Sequence, residues 1–409
     1  MHVFATDANA VESGMIRPAE NTMLKMAVGH SDSFEPVSAV TEALDQCLES
    51  LDGIEPQAAL MFVGPDLDGP EIHKLVREAY PEIELIGSTT GGEMSSVLGY
   101  KEDSFGLAML ASDVLDFGAG IGTNVSQGAR AACREAVEMA REKSTKHPAL
   151  CITLPTIVSI DPDDVLAGIS ELLGETVPVV GGGAAVEDER ASEWGGDHQF
   201  CGDEVLTDAV PVLLISGPLV YSVGIAHGWQ PTGREGVVTR ARGNVVYEID
   251  GAPPRDFYER YVRTDTGNAL ATPLAVYEDD GERFFLRAAV GFDDDGSASY
   301  LGAVPEGAHV RISAVASSDK ILAGTDESVA AALADFALPE PEAAFVVSCA
   351  ARKWLLGTRT GAEIDQVRDK LGEDLPVIGF YAFGEIAPLG TNRDIRFHNE
   401  TCVTVLLGT

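Results

Sequence analysis

Short apolar runs return along the chain in a fixed order. Ala59-Leu60-Met61-Phe62-Val63-Gly64 is followed by an amphipathic pattern from about Pro70 to Tyr80, and then by Ile83-Glu84-Leu85-Ile86-Gly87. The same succession recurs as Leu150-Cys151-Ile152-Thr153-Leu154, a helical pattern opened by Asp161-Pro162 and running to about Leu173, and Val177-Pro178-Val179-Val180-Gly181. A third copy consists of Ala344-Phe345-Val346-Val347-Ser348, a helical pattern from about Gly361 to Leu371, and Leu375-Pro376-Val377-Ile378-Gly379. Asp161-Pro162 places a capping acceptor before a residue whose φ is preset for the first turn, which supports the second helix independently. In each copy the last glycine is followed six positions later by a glutamate: Gly87 with Glu93, Gly181 with Glu187, Gly379 with Glu385. A further apolar run closes each copy, Phe105 to Ala111, Val210 to Ser216 and Cys402 to Leu407. Three such agreements in register predict a repeated β-α-β-loop-β unit.

Two strands joined through a helix of this length are expected to be parallel, with a right-handed crossover. The loops after the first strand (64–69, 155–160, 348–360) and after the second (87–93, 181–187, 379–385) then leave the sheet at one carboxyl edge, where open α/β sheets take ligands. Glycines that only permit tight turns, with solvated glutamates, explain the pattern as well. That plainer reading suits Gly181 and Glu187 best, because Glu187-Asp188-Glu189 reads as a surface loop. No helix start follows the glycines directly and no Gly-Lys-Ser or Gly-Lys-Thr occurs, so ATP and dinucleotide binding are not expected. No cofactor is predicted.

Between the second and third copies the texture changes to antiparallel sheet. Val237 to Ala241 and Val245 to Ile249 flank Arg242-Gly243-Asn244, a hairpin pattern. Strand-like runs follow at Leu274 to Tyr277, Phe284 to Val290 and Val310 to Ala316, with a turn at Asp293-Asp294-Asp295-Gly296 and a helical pattern from Asp326 to Phe336. The fold class expected is α/β in two domains, with repeated β-α-β-loop-β units, mixed sheets and an antiparallel β-rich middle.

Length and composition set outer bounds. The 409 residues suit two or three domains, and 45% hydrophobic residues exclude wholesale disorder. Charge is the outlier: 65 Asp and Glu face 28 Lys and Arg, eight of them Lys, for a net −37. Such a surface repels phosphate backbones and anionic lipid, so neither nucleic acid nor membrane is expected as a partner. An acidic, lysine-poor surface points to concentrated salt, where screening relieves self-repulsion, with an ordinary acidic cytosolic protein as the plainer alternative. The first residues carry no basic stretch leading into an apolar one, and no apolar run approaches a membrane span, so a cytoplasmic location is expected. Six cysteines without a close pair and eight histidines without His-x-x-x-His predict neither a zinc site nor a disulfide framework.

Several segments together resemble the FIST family, a sensory module built from a FIST N and a FIST C domain. They are Val28-Gly29-His30-Ser31, Gly87-Ser88-Thr89-Thr90-Gly91-Gly92-Glu93 and Gly228-Trp229-Gln230-Pro231-Thr232-Gly233. The C-terminal half adds Ser348-Cys349-Ala350-Ala351-Arg352, Gly379-Phe380-Tyr381-Ala382-Phe383-Gly384-Glu385 and His398-Asn399-Glu400-Thr401. The expected organisation is an N-terminal extension (1–22), a FIST N-like domain holding two units (23–250) and a FIST C-like domain holding the β-rich segment and the third unit (251–409). The resemblance implies an intracellular sensory protein that binds a small ligand, amino acids or related metabolites. No transmitter or coiled-coil segment follows, so the output is expected to pass through a separate signalling partner; oligomeric state is left open.

The candidate site gathers at the strand ends of the third unit. Arg352 is placed to pair bidentately with a ligand carboxylate, or to salt-bridge a neighbouring acid. Glu385 and its counterpart Glu93 are placed to accept from an ammonium group, or to hold loop amides. Tyr381 offers a ring and a hydroxyl, and Trp229 a wall between the halves; core packing suits both equally. Ser348 and Cys349 end the strand. Cys349 with His398 as base is the nucleophilic alternative, a hydrolase or transferase, against an inert buried thiol. His398 and Asn399 are otherwise expected to orient the 379–385 loop.

Overall fold

The computed structural model describes residues 23–157, 160–174, 176–184, 197–262, 271–278, 281, 283–389 and 394–409. The predicted strand pairs are parallel: Ala58–Val63 with Glu84–Thr89, Pro148–Thr153 with Val179–Gly182, and Ala343–Cys349 with Val377–Ala382. The connecting helices are Gly69–Ala79, Pro162–Leu173 and Ala362–Leu371, the last preceded by a short helix, Ala350–Leu356. Asp161 caps as expected, accepting from Asp163 N at 3.0 Å, and Asp68 does the same for Glu71 N at 3.1 Å.

The repeat is larger than its apolar runs suggest. A further strand and helix precede each copy: Leu24–Ser31 with Pro36–Leu51, Asp116–Thr123 with Val125–Glu142, and Val220–His227 with Ser318–Asp335. Each preceding strand pairs antiparallel with the last strand of its own copy, Phe105–Ser112, Ala209–Ser216 or Thr401–Gly408. Glycine at one equivalent position lets each preceding helix lie against the backbone. A Cβ on Gly29, Gly120 or Gly224 would sit 2.0, 2.0 or 1.9 Å from the carbonyl oxygen of Ala43, Ala136 or Ser328.

The three copies are locked by exchanged hairpins. The hairpin of the first copy (Glu93–Ser95 and Gly99–Lys101) adds to the third sheet beside Val377–Ala382. That of the second (Gln199–Cys201 and Glu204–Leu206) adds to the first sheet beside Glu84–Thr89, and that of the third (Glu385–Leu389 and Asp394–His398) adds to the second sheet beside Val179–Gly182. Three six-stranded sheets with one strand order result. Their inner faces share a single core, in which Phe62 stacks on Phe380 at 4.7 Å between ring centroids, and their outer faces are covered by the helices. Burial on both faces explains why these strands read as continuous apolar runs rather than as alternation.

The antiparallel middle is an insertion between the third preceding strand and its helix, which begins at Ser318 rather than near Asp326. Seven strands form one sheet whose two edges, Phe284–Arg287 and Ala289–Phe292, are consecutive parts of one segment broken at Ala288, so the sheet curls back on itself. It is anchored to the third copy at that break: Ala288 N donates to Asn399 Oδ1 at 2.9 Å and Arg287 Nη1 to Phe397 O at 2.9 Å.

The exchange makes the three sheets mutually dependent. Residues 23–250 alone would leave the second sheet without its outer hairpin, and the hairpin at 93–101 without a sheet. We expect that fragment to lose cooperative unfolding in urea, and to regain it when co-expressed with 251–409; a fragment that unfolds with the sharpness of the whole chain would refute the interdependence.

Candidate functional site

The three exchanged hairpins begin at equivalent residues. Met94, Phe200 and Ile386 lie opposite Gly379, Gly87 and Gly181 in the ladders, so Glu93, Gln199 and Glu385 correspond. The expected counterpart Glu187 lies outside the described residues; the position is filled by Gln199, displaced along the chain by a longer connection. Each of the three reaches back to its own copy. Glu93 Oε2 accepts from Ser104 N (3.1 Å) and Ser104 Oγ (2.5 Å), Gln199 Oε1 from Ala209 N (3.2 Å), and Glu385 Oε2 from Thr401 N (3.0 Å) and Thr401 Oγ1 (2.7 Å). The residue just before each clamped position is left-handed: Asp103 (φ 52°), Asp208 (φ 53°) and Glu400 (φ 64°).

Beyond that clamp the junctions differ. Glu93 is fully engaged, its other oxygen accepting from Thr90 Oγ1. Around it, His30 bridges Ser104 Oγ (2.8 Å) and Ser95 Oγ (2.7 Å); of the two roles expected of Glu93, an ammonium acceptor or a structural acceptor, its oxygens are both engaged in the second. Burial nevertheless pushes its carboxyl up to about 7, against the pull of Ser104 and Thr90. Asp208, half-buried, accepts from Ser126 N (2.8 Å) and Ser126 Oγ (2.7 Å) at the start of the helix Val125–Glu142.

At the third junction Glu385 and Glu400 are both fully buried, and three of their oxygens, Glu385 Oε1 and both of Glu400, accept no hydrogen bond from the described residues. The Cys349 thiol lies against Glu385, short of hydrogen-bonding geometry with Oε1. Burial, opposed by Thr401, Cys349 and Arg352, lifts the Glu385 carboxyl to about 8; burial and the neighbouring Glu385 lift that of Glu400 well above the carboxylate range.

Arg352 sits beside this pair and salt-bridges an acid, Glu363. Burial disfavours its charge, but Glu363 more than compensates, accepting from Nη2 at 2.5 Å and Nε at 3.1 Å. Ser348 Oγ (2.9 Å), Tyr381 Oη (2.6 Å) and Thr325 Oγ1 (2.7 Å) also donate to Glu363. Arg352 Nη2 donates further to Ile321 O (2.9 Å) and Thr325 Oγ1 (2.8 Å). The two-pronged face assigned to a ligand carboxylate is thus taken by Glu363, and Ser348 and Tyr381 serve the same ion pair. Among the described residues, Arg352 Nη1 has no partner. Glu363 stands in the first turn of a helix in an acid-rich chain, where spacing does not separate it from solvated glutamates.

The remaining candidates are placed as follows. His398 Nε2 donates to Ala387 O at 3.1 Å, and burial drives its imidazole down to about 3. Asn399 Nδ2 donates to His398 O at 2.9 Å while its Oδ1 receives Ala288 N, so this pair ties the hairpin to the inserted sheet. Cys349 and His398 are not bonded to each other, and burial beside Glu385 and Glu400 raises the thiol well above its usual range, the reverse of what a nucleophile needs. Trp229 packs against Ala275, Leu286, Ile321, Leu322 and Leu356, with Nε1 directed at Ala271 O at 3.5 Å. It is core between the inserted sheet and the helix Ser318–Asp335. Among the described residues no group of three or more His, Cys, Asp or Glu is placed to hold a metal, and no helix is long and apolar enough to cross a membrane.

The chain belongs to the FIST family: residues 57–252 match the FIST N domain and 254–388 the FIST C domain. FIST domains are associated with sensory signal transduction and small-ligand binding. An uncharacterized protein of Methanocaldococcus jannaschii is 31% identical over 202 residues, which is 46% of this chain and 36% of that protein. An uncharacterized protein of Mycobacterium tuberculosis is 28% identical over 244 residues, 56% of this chain and 60% of that protein. The chain thus spans less than two thirds of these relatives. Among solved structures, cyanuric acid hydrolase from A. caulinodans aligns over 94% of this chain and 99% of its own, at 11% identity and a TM-score of 0.37, too low to argue from.

Two outcomes follow from the junction chemistry. A carboxyl raised in the folded state binds more protons there than in the unfolded chain, so Glu385 withdraws stability as pH rises from about 4.5 toward 8. Glu385→Gln should therefore flatten the fall of melting temperature across that interval relative to wild type; an unchanged slope would refute the assignment. Cys349 should resist iodoacetamide at pH 8 in the folded protein and react on unfolding, as peptide mapping would show. Rapid selective alkylation of the native thiol would revive the nucleophilic reading.

Proposed function

We propose that this protein is a cytoplasmic small-ligand sensor whose site is the third junction, formed by Glu385, Glu400, Cys349 and the free Nη1 of Arg352. One observation carries the reading: of three equivalent junctions, one alone among the described residues combines two fully buried carboxyls with three carboxylate oxygens that accept nothing. Buried polar groups are almost always paired, and an unpaired cluster at a strand-end junction is a place kept for something else. Glu93 supplies the internal control, since the same position at the first junction is engaged through both oxygens.

The ligand class we favour is amino acids and related small metabolites, which bring hydrogen-bond donors to the carboxyls and an acceptor to Arg352 Nη1. Output passes to a separate signalling protein. The path from the junction is short, because Glu400 adjoins Asn399, which holds the inserted sheet at Ala288. Ligand that favours one seating of that sheet over another would change the surface offered to the partner. The acidic surface suits this protein to a salt-rich cytoplasm.

Isothermal titration against a panel of amino acids and organic acids, guided by native mass spectrometry of protein from its own host, tests the site. For any ligand found, Glu400→Gln should weaken binding at least tenfold, about 1.4 kcal/mol, with melting temperature within a few degrees of wild type. Equal affinity in Glu400→Gln would place the site elsewhere.

A further inference from the structure

Charge and hydrogen-bond capacity at the third junction are unbalanced in a way that defines the head group it takes. One guanidinium faces three buried carboxyls, those of Glu363, Glu385 and Glu400. Glu363 already neutralises it through two hydrogen bonds, so ionising Glu385 and Glu400 leaves two negative charges without a further cationic partner among the described residues. The other titratable neighbours, Cys349 at the end of its strand and Cys402 on the adjacent one, are thiols held protonated by burial and bring no positive charge. His398, on the neighbouring strand, and His227, which lies near both Arg352 and His398, are neutral, driven down by burial. Unused hydrogen-bonding groups point the same way: among the described residues three acceptor oxygens stand open against one donor nitrogen, Arg352 Nη1.

An anionic ligand finds little here. Arg352 offers the single nitrogen Nη1 rather than a two-nitrogen fork, and a carboxylate would enter beside two acidic groups. The empty pair can instead retain its protons, since Glu385 and Glu400 are neighbours and a neutral carboxyl can donate its O–H to the other. A cation supplies hydrogen-bond donors to the open oxygens and, to an ionised pair, the compensating charge.

We infer that the third junction is built for a cationic head group, an ammonium or amidinium nitrogen, and that its entry drives protons from the Glu385 and Glu400 carboxyls into bulk solvent. This rests on the third junction being the ligand site and adds which end of the ligand is read. The protonated pair is the resting state of the empty site; the ionised pair, salt-bridged to the cation, is the occupied one. Binding therefore strengthens as pH rises through the range where Glu385 titrates, near 8, and the junction reports ligand and pH jointly.

The test is calorimetric titration of the full chain with methylammonium, guanidinium, glycinamide and arginine as cation-bearing probes, and with acetate and N-acetylglycine as anions. Each is run at pH 6, 7 and 8 in two buffers of different ionisation enthalpy. We expect cation-bearing probes to bind and the anions not to, one to two protons to appear in the buffer per cation bound, and affinity to rise several-fold per pH unit. The double variant Glu385→Gln/Glu400→Gln should lose both affinity and proton release. The double variant Glu93→Gln/Asp208→Asn, at the other two junctions, should keep both. Preference for acetate or N-acetylglycine, or cation binding without proton release, overturns the inference while leaving a ligand site in place. No binding by any probe, with nothing retained in protein from its own host, overturns the site itself.

Discussion

The constraint on which the rest of this structure depends is the exchange of hairpins among its three sheets. Each copy ends its second parallel strand with an open edge, and the hairpin that covers it comes from another copy, in the closed cycle first to third, third to second, second to first. An exposed strand edge is an unpaired row of backbone donors and acceptors, and closing all three edges within the molecule removes that liability. The same exchange sets the inner faces of the sheets against one another, so Phe62 of the first copy packs with Phe345 and Phe380 of the third in one core.

Because every hairpin leaves its own copy, its first residue must be held at the point of departure. Glu93, Gln199 and Glu385 do this by clamping the start of the last strand of their own copies. The position therefore requires a buried acceptor at three places, and a buried carboxylate there is first of all an architectural device. Departure from the pattern at the third copy is what distinguishes it: Glu400 is drawn fully inside, where Asp208 serves a helix start, and Glu385 keeps one oxygen unused. A binding function grafted onto one of three structural junctions fits the general rule that sites are local elaborations of a scaffold.

The inserted sheet lies within reach of that elaboration. Its two edges meet at Ala288, and there it is gripped by Asn399 and by the carbonyl of Phe397. His398, neutral and bonded to Ala387 O, stiffens the same strand. The family's division at residues 252 and 254 falls inside this insertion, whereas strand pairing groups Val220–His227 with Thr401–Gly408 across it. Sequence modules and folding units thus divide the chain differently.

Much of the local architecture was legible in the chain: the parallel strand pairs, the three connecting helices to within a residue or so, the cap at Asp161, and the antiparallel texture of the middle. These follow from short-range physics, namely burial of apolar runs and satisfaction of helix ends. The glycine-to-glutamate spacing was legible too, but only for the two copies whose connection has the same length; Gln199 escaped because spacing stops reporting position once a loop lengthens. Which sheet a three-residue strand joins is a long-range pairing with almost no local signature, so the hairpin exchange was decided by tertiary structure alone. The same holds for Arg352: its guanidinium and its place at the strand end were written in the sequence, while its claim by Glu363, eleven residues on and looking like any surface acid, depended on the folded geometry. Sequence determined which residues carry charge and where strands end; tertiary structure decided which charges are cancelled and which are left for a ligand, because cancellation requires contact.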